Sequence, residues 1–94
     1  MKTVGQFLKE LRHHNGVSQR ELADKLGYST PQFVSNWEHG ISFPPVSALK
    51  KIARIVGPTD RMTEEQVAEA MLELIIAETV SEITISMTKK FKGR

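Results

Sequence analysis

Four glycines, Gly16, Gly27, Gly40 and Gly57, each follow a short run of apolar residues at helical spacing. This punctuation constrains the fold more than any other feature, because glycine readily takes the left-handed conformation in which helices end. It predicts several short helices within the first 57 residues. Starts are marked as well. Thr3 with Gln6 fits a capping box, and Val4, Phe7, Leu8 and Leu11 then form one helical face ahead of Asn15-Gly16. Ser18 with Glu21 repeats the box before Leu22, Ala23 and Leu26. The first helix is therefore predicted at roughly 3–14 and the second at about 18–26.

A third helix follows from Thr30 as N-cap and Pro31 at the first helical position, with Ser29 as the alternative cap, and runs to about His39. The segment ISFPP at 41–45 cannot be helix interior, since consecutive prolines remove backbone donors and restrict the residues before them. From Val46, the spacing of Leu49, Ile52, Ala53 and Val56 predicts a fourth helix closed by Gly57-Pro58. After the polar stretch PTDRM, a third box at Thr63 and Gln66 opens a fifth helix with Glu64 and Glu65 at the positive end of its dipole. The alternation of Glu82, Thr84 and Ser86 with Ile83, Ile85 and Met87 has a period of two, which predicts a short strand. Neither glycine nor proline separates it from the preceding helix, so helix and strand both stay open there.

The fold class expected is all-α: five helices, with residues 1–57 as one domain and 58–94 as a helical or extended arm. With no cysteine the chain has neither disulfides nor thiolate metal sites, and nothing at the N-terminus reads as a signal peptide or membrane span. A cytoplasmic location is the default expectation. The net charge of +2 is unevenly spread: residues 1–62 hold nine Lys/Arg against five Asp/Glu, and residues 63–94 hold four against six. The anion-binding side, if there is one, is the first part.

The third helix joins two unlike sets of residues. Phe33, Val34 and Trp37 would anchor it on the first, second and fourth helices, while Gln32, Ser35, Asn36 and His39 form a polar set without a fixed charge. Other exposed stretches, such as KELRHH, are rich in charge instead. Gln32 and Asn36 lie four apart on one face, and each amide can donate and accept at once, as the edge of adenine requires. The major groove of DNA is about 12 Å wide and admits one such helix. Two short helices joined by a tight turn, the second with a polar face, form the layout of a helix-turn-helix.

The stretch VSQRELADKLGYSTPQFVSNWEHG resembles the lambda-repressor-like, or Xre-type, helix-turn-helix family. The matching residues are Ser18-Gln19, Leu22-Ala23, Leu26-Gly27, Ser29, and Val34-Ser35-Asn36-Trp37-Glu38-His39-Gly40; the likeness extends to LKKIARIVG at 49–57 and covers about residues 3–57. It implies binding to double-stranded DNA, with Thr30, Gln32, Ser35, Asn36 and His39 toward the bases and Ser18, Gln19, Arg20, Ser42 and Lys50 toward phosphates. It also implies an internal ion pair between Arg12 and Glu38. One departure is that Gly27 and Val34 are seven residues apart where the family usually has six, so the turn is one residue longer.

No metal site, cofactor or catalytic set is expected. The three histidines lack ligand spacing, Glu65, Glu69 and Glu73 suit a solvated helix face, and Trp37 has the spacing of a core residue. The arm carries more apolar surface than a 57-residue core should cover. A homodimer interface through Val67, Met71, Leu74, Ile75, Val80, Ile83 and Ile85 is the expectation. The leading function is a dimeric transcriptional repressor of a palindromic operator. The alternative is an antitoxin or adaptor whose residues 63–94 hold a partner protein, with DNA binding for autoregulation. For the basic tail KKFKGR at 89–94 three readings stay open: reaching DNA, folding back on the acidic run Glu64–Glu82, or staying disordered.

Overall fold

The structure, a computed structural model, describes the backbone of residues 2–92 and the side chains of residues 2–81. Its helices are α1 (Val4–His14), α2 (Gln19–Leu26), α3 (Gln32–Glu38), α4 (Leu49–Val56) and α5 (Glu64–Lys92), with a 3-10 turn at Val46–Ala48 leading into α4. The described residues contain no strand.

Local chemistry starts and stops these helices as the sequence indicates. Thr3 Oγ1 accepts from the Gln6 N–H at 3.1 Å while Gln6 Oε1 accepts from the Thr3 N–H at 3.0 Å. At α2 only half of the expected box forms: Ser18 Oγ accepts from the Glu21 N–H at 3.0 Å while the Glu21 carboxylate accepts from Lys25 at 3.1 Å, and Gly27 closes the helix at φ 88°. The Thr63–Gln66 box opens α5 with bonds of 2.9 and 3.2 Å. At α3, Thr30 Oγ1 accepts from the Gln32 N–H at 2.9 Å, which is the bond an N-cap makes, although regular helix begins only after Pro31. The fourth helix begins at Leu49 rather than Val46, because residues 46–48 take the tighter 3-10 turn after the two prolines.

One core joins all five helices. Val4, Leu8 and Leu11 of α1, Leu22 and Ala23 of α2, Val34 and Trp37 of α3, and Leu49, Ile52, Ala53 and Val56 of α4 are buried together. The same cluster includes Val67, Ala68, Met71 and Ile75 of α5. Two polar ties lock the arrangement. Asn15 Nδ2 donates to the Val56 carbonyl, joining the ends of α1 and α4, and Glu78 accepts the otherwise open Val4 N–H at 3.1 Å. Gly5 is where α1 and α3 meet most closely: a Cβ there would stand 2.2 Å from the Trp37 carbonyl oxygen.

Two expectations need correction, and one choice left open is decided. Phe33 does not join Val34 and Trp37 in the core but is 52% exposed, since it is turned about 100° from Val34. Residues 82–87 continue α5 and form no strand. With no glycine or proline to interrupt it, each further turn adds a hydrogen bond without a new nucleation step, and alternation in the sequence does not outweigh that. Finally, the boundary at residue 57 does not separate the core from an arm, because the first half of α5 completes that core.

Candidate nucleic-acid interface

Helix α3 has only seven residues, and its two faces are chemically distinct. Val34 and Trp37, three apart, are buried; Gln32 and His39 are exposed, and Ser35 and Asn36 half-exposed. Gln32 Nε2 donates to Asn36 Oδ1 at 2.8 Å. The bond aligns the two amides and leaves Gln32 Oε1 as an acceptor and Asn36 Nδ2 as a donor, one of each kind as the adenine edge requires. Beside them His39 Nδ1 donates to the Ser35 carbonyl at 2.8 Å, so in the neutral ring Nε2 is the acceptor. Thr30, exposed in the turn, uses its hydroxyl oxygen to cap α3 and keeps its O–H for another partner.

Beneath this face lies the Arg12–Glu38 pair that the resemblance implies. The two side chains are 6% and 2% exposed. Arg12 Nε donates to Glu38 Oε2, Nη2 to Glu38 Oε1 at 2.8 Å and Nη1 to the Val17 carbonyl at 2.8 Å. Burial alone would raise the Glu38 pKa, but the hydrogen bonds from Arg12 and Gln19, together with the charges of Arg12 and Lys9, bring it below its ordinary value. Gln19 Nε2 donates one hydrogen to Glu38 Oε1 at 2.9 Å. That contact fixes the amide orientation at the start of α2 and leaves the second Nε2 hydrogen for an outside acceptor.

Around α3, Ser18 and Arg20 are exposed at the N-terminus of α2. Ser42 is exposed just after the Ile41 N–H, which donates to the Asn36 carbonyl at 2.9 Å and so holds this loop against the end of α3. Lys50 is exposed in the first turn of α4. The residues expected at a dimer contact are not brought together on one free surface. Val67, Met71 and Ile75 are buried in the core of the same chain, because α4 and α1 cover that stripe. Leu74 is half-buried against the core, Val80 is 54% exposed, and the side chains of Ile83 and Ile85 lie outside the described residues. Ile76, which was not among the expected contacts, is 52% exposed one turn before Val80.

Sequence reasoning also missed Gly5 and the outward position of Phe33. A glycine in the first turn of an amphipathic helix is the signal for the first, as it weakens the helix unless a close approach needs it. The second has no signal in spacing alone.

A short helix seated across its predecessor, its inner side in the core and its outer side carrying uncharged donors and acceptors, defines a DNA-binding helix-turn-helix module. The family profile described as Helix-turn-helix matches residues 8–60, more than half of the chain, and the chain belongs to that family. It is a DNA-binding protein of the transcription-regulator class, in a regulatory family that is not typically enzymatic. No curated protein and no solved structure matches the chain. Among the described residues, no helix is long and apolar enough to cross a membrane.

Proposed function

We propose that the chain is a repressor that binds a palindromic double-stranded operator as a homodimer, reading bases with α3 and gripping phosphates from α2 and the loop into α4. The observation that carries this is the division of α3: Val34 and Trp37 are buried while Gln32, Asn36 and His39 face outward. In this reading Gln32 and Asn36 act as a coupled pair on one purine. Ser35, His39 and Thr30 contact neighbouring bases, and Ser18, Gln19, Arg20, Ser42 and Lys50 bind the backbone. Phosphate contacts fix register while base contacts carry the sequence information. Occupying a promoter excludes other proteins from it, so repression requires no further surface.

Dimerisation is supported by Ile76 and Val80, two aliphatic side chains four apart and exposed on one face of α5. A second copy related by a two-fold axis would cover both and set two recognition helices about 34 Å apart, one turn of DNA. The same pair could instead hold a different protein, as in an antitoxin or adaptor. Sedimentation of the pure chain separates the two: a concentration-dependent dimer supports the homodimer, and a strict monomer at high concentration sinks it. Selection of bound duplexes from a random pool tests the operator, with an inverted repeat as the expected result and no preferred sequence as the contrary one.

A further inference from the structure

Phe33 is the largest side chain left half in water on α3. Its ring packs on Tyr28 with centroids 4.7 Å apart and planes at 34°. Tyr28 is in turn set edge-on to the buried Trp37 at 5.9 Å and 69°. A continuous aromatic stack thus runs from the core to the surface and supports the Phe33 ring from behind. Isolated exposed apolar residues are common, but a ring braced in this way has already given up much of the freedom that binding would otherwise cost.

Its position gives the ring a use. Around α3, at about 100° per residue, Phe33 falls between Asn36 and Trp37 and about 60° from Asn36. It therefore flanks the Gln32–Asn36 pair, which are joined by a 2.8 Å hydrogen bond. Side chains three apart on a helix have Cβ atoms about 5–6 Å from each other, whereas successive bases along a strand are separated by about 3.4 Å. A helix that directs Gln32 and Asn36 at one base pair thus brings Phe33 over a pair one or two steps away. The only apolar group on the major-groove edges is the 5-methyl of thymine, and an aromatic ring is one of the side chains suited to it.

We propose that Phe33, braced by Tyr28, is a specificity-determining residue that reads a thymine 5-methyl group one or two base pairs from the site of the Gln32–Asn36 pair. The proposal rests on the reading of α3 as the recognition helix. It adds a hydrophobic determinant to a surface whose other contacts are hydrogen bonds.

The test uses the full chain and the duplex selected from a random pool. Each thymine is replaced in turn by uracil, which removes the methyl group and leaves base pairing intact. The expected result is one sensitive position per half-site, where uracil weakens binding about four-fold, the effect of burying a single methyl-sized group at about 0.8 kcal/mol. With Phe33→Ala, thymine and uracil should bind equally well at that position. Phe33→Leu, which retains apolar bulk against Tyr28, should reduce the ratio and provides the same readout if the alanine variant does not fold. If no thymine is sensitive, or if both variants keep the full four-fold ratio, the assignment is overturned even though a specific operator is bound. If no duplex is selected at all, the recognition-helix reading fails and the assignment fails with it.

Discussion

Arg12 and Glu38 place opposite charges where their side chains are almost fully removed from water, at 6% and 2% exposure. Such a pair need not add stability over an apolar one, but breaking it leaves a buried charge uncompensated. Arg12→Ala is therefore expected to cost about 3–5 kcal/mol, read from chemical denaturation, whereas Arg20→Ala on the surface should cost little. Because the Glu38 pKa is lowered on folding, its contribution is fully present above the ordinary carboxylate range and is lost as pH falls through the folded-state value. Acid titration of stability should show that loss in the wild type, and a shallower slope in Glu38→Gln. Gly5 sets two effects against each other. Alanine would favour the helix by about 0.5–1 kcal/mol, yet its Cβ would lie 2.2 Å from the Trp37 carbonyl oxygen. The contact is with backbone and cannot be relieved by a rotamer, so Gly5→Ala is expected to lower the melting temperature rather than raise it. On the α3 surface, Gln32→Ala and Asn36→Ala should each relax one base position by about 1–3 kcal/mol. Since the two amides share a hydrogen bond, the double variant should lose less than the summed single losses in a binding cycle.

Among the elements, helix starts and ends were the most legible part of the sequence, because caps are local. Thr3, Ser18, Thr30 and Thr63 each make the side-chain-to-backbone bond that their position indicates. What lay beyond the sequence was decided by neighbours. Spacing shows that Val34 and Trp37 share a face, but whether Phe33 lies inside the boundary of that face depends on how far α1 and α2 reach around α3. It falls outside, against Tyr28. The apolar stripe of α5 was similarly visible while its partner was not: Val67, Met71 and Ile75 complete the core of their own chain. Removing residues 63–94 therefore does more than delete an arm. Uncovering those three side chains forfeits about 1.5–3 kcal/mol each, a sum comparable with the whole stability of a small domain. Residues 1–62 alone are expected to lack a cooperative thermal transition by circular dichroism. A sharp melt like that of the full chain would show that the core closes without α5.

For the whole molecule, the extents of 51 × 31 × 21 Å reflect a compact helical body with α5 running on beyond it. Positive charge exceeds negative in residues 1–62 and negative exceeds positive in residues 63–94, which favours DNA approaching the helix-turn-helix side. Ile76 and Val80 lie in that second region and are 52% and 54% exposed. Val80→Glu should leave the fold intact, since the residue is outside the core, while shifting sedimentation toward monomer and weakening operator binding. An unchanged dimer would move the interface elsewhere. The central claim is that the outer face of α3 reads DNA sequence. Its most direct measurement is the selection of duplexes from a random pool by the wild type and by Gln32→Ala under the same salt. The wild type should yield an inverted repeat, and Gln32→Ala should yield the same repeat with one position per half-site degenerate. Recovery of no common sequence by the wild type, or of an identical and equally sharp sequence by both proteins, would contradict it.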